Sequence, residues 1–345
     1  MASDCPRVAV EDMERPLFAG VDLGGTSIKI GLVDNQGRTV NATRISTEQE
    51  LGPEDGLERM AATINELLAS AKIDPSELGA VGLGTPGTMD IPAGMILEPP
   101  NLPAWRHFPV RDKLSEFCQR PVAYANDAAA AAYGEFWIGT GQQFNSMVLL
   151  TLGTGVGGGI IIGDQSIDGE NSHGSECGHV LIDSGPGARI CSCGQPGHLE
   201  AYASATAVVK RAKEALQAES SSSLHQRLNG EQKLTTLILY EEATKGDILS
   251  QRIVMETADY LALGIISLVH TIDPGIVVLG GAMTFGGNDD PLGREFLARL
   301  RSQFQQQTFP VLAERTRIDF AALGSSAGYI GAAGIARLMY KRTQS

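Results

Sequence analysis

Two stretches of the chain share one pattern of apolar and polar positions. Leu17 to Arg38 (LFAGVDLGGTSIKIGLVDNQGR) passes from an apolar segment through a glycine turn into an alternating segment and a polar turn. Ile28, Ile30 and Leu32 alternate there with Lys29, Gly31 and Val33, which is the period of a half-buried strand. Ser146 to Gly169 repeats the plan, with an apolar strand, a glycine cluster, the strand Ile160 to Ile162 and a turn at Gly163-Asp164. Two hairpins of one design, far apart in the chain, predict two halves of related architecture. A helix is expected around Leu57 to Ala71, and the turn-rich stretch Gly82 to Pro103 reads as loop and sheet edge. Ala125-Asn126-Asp127-Ala128 opens an alanine-rich helix, with residues suited to capping its start. Further on, Ser204 to Ala218 reads helical until the run Glu219 to Ser223 breaks it, and Ile248 to Thr271 reads as a long amphipathic helix with a buried end. Ile272-Asp273-Pro274 is expected to stop that helix, Ile276 to Leu279 forms a buried strand leading into Gly280-Gly281, and Ala327 to Lys341 is a last helix. The interleaving makes the fold class α/β.

Length changes this picture little: 345 residues exceed what one core usually serves, so two domains are expected. Charge changes it more. A formal net charge of -13 argues against a nucleic-acid partner, whose phosphates reward clustered Lys and Arg. It leaves a nucleotide open, because glycine-loop amides, helix N-termini and magnesium can hold a triphosphate. The acidic start MASDCPRVAVEDMERP is not read as a signal peptide, and the apolar stretch Tyr260 to Ile272 is too short to cross a bilayer, so no membrane role is expected. Five cysteines in a chain of this length make no disulfide framework and fit a reducing cytoplasm.

The glycines of the second hairpin satisfy G-x-G-x-x-G through Gly153, Gly155 and Gly158. A dinucleotide site needs a helix next, whereas Gly159 and three isoleucines follow, which favours a strand. No G-x-x-x-x-G-K-[ST] occurs either. The chemistry concentrates instead in Glu176 to Glu200 (ECGHVLIDSGPGARICSCGQPGHLE), where Gly and Pro predict a loop with little apolar surface to fix its shape. His179, Cys191, Cys193 and His198 form a two-Cys, two-His set suited to tetrahedral zinc.

Glu176-Cys177-Gly178-His179, then Cys191-Ser192-Cys193-Gly194 and Gly197-His198-Leu199-Glu200, resemble the sugar- and zinc-binding signature of the ROK family, G-E-x-G-H followed by C-x-C-G-x-x-G-C-x-E. Two positions depart from it: the last cysteine is His198, and the residue before the glutamate is Ser175 instead of Gly. The resemblance runs from Leu17 to Tyr340 and implies two actin-like (ribonuclease H-like) lobes around a cleft that closes on its substrates. The lobes are drawn at 17–124 with 327–345, and at 125–326, after an N-terminal extension over 1–16. Asp22-Leu23-Gly24-Gly25-Thr26, with Lys29 beyond, resembles the first phosphate loop of the sugar kinase superfamily, with Asp22 holding magnesium through water. Gly153, Thr154, Gly155 and Gly157 are expected in the second phosphate turn, and Gly280-Gly281 at the adenosine edge. Sugar contacts are implied for Gly87, Asn101, Asn126, Asp127, Glu176, His179 and Glu200, with Asp127 as general base. The expected activity is ATP-dependent phosphorylation of a hexose at its 6-hydroxyl, glucose favoured, by a homodimer or homotetramer. Alternatives are a kinase for N-acetylglucosamine, N-acetylmannosamine or fructose, and a sugar-responsive repressor. The repressor reading is weakened by the charge and by only 21 residues ahead of Asp22, too few for a winged helix.

Overall fold

The computed structural model describes residues 6–228 and 233–344, and statements of absence below refer to these. The first five residues of the N-terminal extension lie outside them. In chain order come strands β1 (Leu17–Leu23), β2 (Ser27–Val33) and β3 (Thr39–Ser46), helix α1 (Pro53–Ser70), and strands β4 (Leu78–Thr85), β5 (Thr88–Asp90) and β6 (Met95–Glu98). Helix α2 (Val110–Cys118), β7 (Val122–Asn126), α3 (Asp127–Ile138), β8 (Ser146–Leu152), β9 (Val156–Ile162) and β10 (Gln165–Ser166) follow. After the long loop come α4 (Glu200–Ala203), α5 (Ala205–Leu216), α6 (Leu224–Arg227), α7 (Thr236–Thr244) and α8 (Ile248–Ile272). The chain closes with β11 (Ile276–Gly281), α9 (Pro291–Gln307), α10 (Pro310–Arg315), β12 (Arg317–Phe320) and α11 (Ala327–Gln344). Two five-stranded sheets result, ordered β3-β2-β1-β4-β7 and β10-β9-β8-β11-β12, so the two hairpins do take equivalent places.

The chain divides into two compact units, one of 1–147, 159–175 and 321–345, the other of 148–158 and 176–320. These differ from the lobes drawn on the sequence, chiefly because α3 belongs to the first unit. Its small residues let α11 lie against it: a Cβ on Gly134 would stand 2.5 Å from the Ala327 carbonyl oxygen. In the first unit, Leu17, Ala19, Val21 and Leu23 of β1 pack with Leu57, Met60 and Ile64 of α1 on one sheet face. The other face carries α11, where Tyr329, Ile330 and Ala333 meet Phe18, Val33 and Ala80. Gly31 lies beneath the Tyr329 ring and Gly20 beneath its carbonyl, where any side chain would collide. The half-buried strand expected at β2 is thus corrected: Gly31 and Val33 are buried as well, because α11 covers their side. A second correction concerns Gly82 to Thr85. They end β4, an interior strand between β1 and β7, and the 88–98 stretch that follows is a separate two-stranded ribbon whose Met89 and Ile96 join the core. A turn-rich composition hid this strand because Gly82 makes room for the backbone of α11 at Ala332.

In the second unit α8 is the core helix, with Ile253, Val254, Leu261, Ala262 and Ile265 buried. It runs 25 residues, so by length and composition it could cross a membrane, unlike the shorter stretch considered above. It is packed against α5, α7 and α9 instead, and its Ser250 and Thr257 are buried with hydrogen-bond partners.

Candidate active site

The first unit gathers its candidates at one edge of its sheet. Asp22 of β1 pairs with Gly84 of the parallel β4, and Thr85 of β4 with Asn126 of the parallel β7. Ligands of open α/β sheets bind at this carboxyl edge of parallel strands. Asp22 faces Lys29 across the hairpin, and the Lys29 ammonium donates to its carboxylate at 3.1 Å. The same carboxylate lies on the first turn of α11, where a Cβ at Gly328 would be 2.6 Å from it. Gly24 donates its N–H to the Ser27 carbonyl (3.0 Å), which closes the turn, and the Thr47 hydroxyl fixes the Gly24 carbonyl (2.7 Å). Gly25 touches another candidate directly: a Cβ there would stand 2.8 Å from Cβ of Asn101. Thr26 is exposed at the tip. Gly87 has φ +85°, a left-handed conformation that only glycine adopts without cost. Asn126 caps α3 by accepting the N–H groups of Ala128 (2.9 Å) and Ala129 (3.3 Å), and Asp127, the first residue of α3, also accepts from Ala128 (2.8 Å).

The second unit holds the other glycine turn, closed one residue tighter: the Gly153 N–H donates to the Gly155 carbonyl at 3.0 Å. Three partners fix it from below. The Ala205 N–H at the start of α5 donates to the Gly153 carbonyl (2.9 Å), the Thr206 hydroxyl to the Thr154 carbonyl (2.9 Å), and the Val156 N–H to a Glu200 carboxylate oxygen (3.0 Å). Gly157 begins the inner part of β9, half-buried. Gly280 and Gly281 end β11 beside this turn, Gly281 at φ +92° and pressed on the Leu152 backbone.

The loop from Glu176 to His198 is better ordered than its composition implies. Ile182 and Gly197 pair, as do Leu199 and Val180 and Cys191 and Gln195, each through a backbone bond of 2.9 Å. The Tyr202 hydroxyl ties the loop from below, donating to Asp183 (2.6 Å) and accepting the Arg189 N–H (2.8 Å). The Tyr202 bond, then the Gly185 N–H, hold the Asp183 carboxyl below the usual value. Arg189 in turn forks onto Glu214, with its two terminal nitrogens 3.2 and 2.6 Å from the carboxylate oxygens.

His179, Cys191, Cys193 and His198 converge here, with one potential ligand atom from each lying within 4.8 Å of all the others. Nδ1 of His179 is 3.2 Å from Nδ1 of His198 and 3.7 Å from Sγ of Cys191, and Sγ of Cys193 is 3.3 Å from Nδ1 of His198. Zinc–nitrogen bonds near 2.0 Å and zinc–sulfur bonds near 2.3 Å in a tetrahedron separate ligand atoms by about 3.3 to 3.8 Å. The residues therefore fit a zinc ion, with His198 in the place of the last cysteine. Burial pushes the Cys191 thiol up to about 11, so a thiolate there calls for a cation beside it. The neighbouring Cys177 is different: burial first, then the Glu176 carboxylate, push it up to about 12, and it packs as an inert core residue. With Nδ1 of His179 in the cluster, its Nε2 lies 4.0 Å from the Glu176 carboxylate.

Of the residues singled out in the sequence, the structure brings Asp22 to Lys29, Gly25 to Asn101, Gly155 to Glu200, and the four metal-ligand candidates to one another. Residues that the sequence did not mark are Ser192, whose hydroxyl donates to Glu200, and Tyr202, Ala205 and Thr206, whereas Asp183, a carboxylate of the same stretch, is the acceptor of the Tyr202 hydroxyl. Only the adjacency of Tyr202 and Thr206 to Glu200 could have pointed to them.

Residues 18–338 match the ROK family. The glucokinase of Thermotoga maritima is 33% identical over 94% of this chain and 98% of its own length. A putative xylose repressor from a Caldicellulosiruptor species is 27% identical over 91% of this chain and 76% of the repressor. Among solved structures, a ROK hexokinase from Thermus thermophilus aligns with a TM-score of 0.80 at 34% identity, covering 94% of this chain and 99% of that one. A ROK family glucokinase from Streptomyces griseus, in complex with glucose and AMPPNP, aligns with a TM-score of 0.73 at 32% identity, covering 93% and 99%. The fold is the actin-like α/β fold of these sugar kinases.

Proposed function

The chain belongs to the ROK family, and we propose that it transfers the terminal phosphoryl group of ATP to the 6-hydroxyl of a hexose, with D-glucose the preferred acceptor. The observation that supports this most is the His179 ring, which turns one nitrogen into the zinc-fitting cluster and the other toward Glu176. A ring held in that way has a fixed tautomer and can present its second nitrogen to a sugar hydroxyl. Glu176 at the head of the loop and Glu200 at the start of α4, with Asn101, Asn126 and the Gly87 turn, supply the further hydroxyl partners that discriminate among sugars, because a buried group left unpaired is costly.

Phosphoryl transfer asks for positioning, neutralised charge and a group that takes the acceptor's proton. Asp127 takes that proton. It stands at the N-terminus of α3. Asn126 uses its carbonyl oxygen on the cap, so its amide nitrogen is the donor left to the sugar. Gly24 and Gly153 both spend their N–H groups inside their own turns, so phosphate contact falls to Gly25, Thr26, Thr154 and Gly155 with Lys29, while Gly157 shapes the second turn. Gly280 and Gly281 offer bare backbone to the purine. Asp22 is a single carboxylate, which suits a magnesium ion that keeps most of its waters, and that ion would neutralise phosphate charge. The zinc role is structural, keeping the loop that joins Glu176 to Glu200 in shape. Two thiolate ligands persist best in a reducing cytoplasm.

A coupled ADP-release assay over glucose, mannose, fructose, N-acetylglucosamine and N-acetylmannosamine, with ATP and polyphosphate as donors, tests the reading. Glucose with ATP should give the highest kcat/KM. No release above the sugar-free background with any pair would sink it.

A further inference from the structure

Glu200 does more in this structure than wait for a sugar. One carboxylate oxygen accepts the Val156 N–H at 3.0 Å, and the other accepts the hydroxyl of Ser192. Ser192 sits between Cys191 and Cys193, so the two candidate metal ligands fix its backbone on both sides. Val156 closes the second glycine turn, and Gly155 before it lies against the same Glu200 oxygen, which a Cβ there would push aside. The chain that follows Glu200 grips the turn twice more, at Gly153 through the Ala205 N–H and at Thr154 through the Thr206 hydroxyl. Seven residues, Glu200 to Thr206, thus fasten Gly153, Thr154 and Val156.

We propose that Glu200 is a brace between the metal-ligand loop and the second glycine turn, oriented by Ser192, so that the state of the loop sets how well the turn holds nucleotide phosphate. The claim rests on the sugar-kinase reading for its nucleotide and adds a role that a sugar ligand alone would not have. Glu200 orients the turn whether or not a hexose is present. Ser192 is a positioning residue, acting through Glu200 without touching either substrate.

The test uses protein purified without chelator. Ser192→Ala keeps both cysteines and removes only the hydroxyl, and Glu200→Ala removes the whole brace. Hydrogen–deuterium exchange of the peptide over 153–158, read without substrates, should quicken in both, by about tenfold in Glu200→Ala, the worth of one charge-assisted hydrogen bond. The Kd for Mg-AMPPNP, measured without sugar, should rise by about threefold or more in Ser192→Ala and about tenfold in Glu200→Ala. Glu200→Gln, whose carbonyl oxygen can still accept the Val156 N–H, should restore most of the nucleotide affinity while leaving sugar affinity low. Unchanged exchange in Glu200→Ala overturns the brace, and unchanged exchange in Ser192→Ala overturns its orientation by the loop. Faster exchange with an unaltered nucleotide Kd overturns the coupling. A wild-type chain that binds no nucleotide refutes the kinase reading instead, and exchange then still decides whether the brace exists.

Discussion

Ser175 precedes Glu176 where the ROK pattern has glycine, and the structure gives the position a backbone φ of +65°. A non-glycine residue in that region costs about 1 to 2 kcal/mol relative to the right-handed conformation. The hydroxyl offsets the cost by donating to the Ile167 carbonyl at 2.8 Å and accepting the Ile160 N–H at 3.2 Å, a bridge across the turn at Gly163-Asp164. Each bond contributes about 1 kcal/mol, and Ile160 is 5% exposed, so its N–H finds little water if the acceptor is lost. Ser175→Ala keeps the strained φ and loses both bonds, which should cost about 2 kcal/mol or somewhat more. Ser175→Gly loses the same bonds and recovers about 1 kcal/mol of strain, so it should fall between wild type and alanine. Both tryptophans of the chain, Trp105 and Trp137, belong to the same compact unit as Ser175, Ile160 and Ile167. Urea titration followed by tryptophan fluorescence therefore reads that unit, and the shift in midpoint at unchanged slope gives the difference. An alanine variant within about 0.5 kcal/mol of wild type, or a glycine variant less stable than alanine, would mean that the hydroxyl does not offset the strain.

Asp127→Asn keeps the side-chain shape and removes the proton acceptor, so kcat should fall by about two to four orders of magnitude with a much smaller change in sugar KM; near-normal turnover would move the base elsewhere. Gly25→Ala brings a Cβ to 2.8 Å from Asn101, so steady-state kinetics should show KM raised for the hexose as well as for ATP. An effect on ATP alone would mean Asn101 is not a sugar contact. Elemental analysis should find about one zinc per chain, and X-ray absorption should find two sulfur ligands near 2.3 Å and two nitrogens near 2.0 Å. Cys191→Ser should lose the metal and raise sugar KM, whereas metal-free wild type with full activity would rule the site out.

Where side chains themselves do the burying, the sequence was sufficient. Alternation at Ile28, Ile30 and Leu32 and the matching glycine cluster before Ile160 marked both hairpins, and Asn126 marked the start of α3 through its capping chemistry. The four potential zinc ligands were legible because thiol and imidazole at short spacing have few other uses. Other features depended on what lies opposite in space. Gly20, Gly31 and Gly82 are buried by the backbone and ring of α11, so no apolar periodicity reports the covered face, and β4 looked like a loop. The loop that carries the four candidate ligands owes its shape to Tyr202 and to backbone pairs, and no composition rule predicts such pairs. Ser192 and Val156 could not be connected through Glu200 from the sequence, since they are 36 positions apart and each is ordinary on its own. Local chemistry thus named the groups, and tertiary packing decided which of them share a hydrogen bond, because those bonds form between residues the chain brings together only once it has folded.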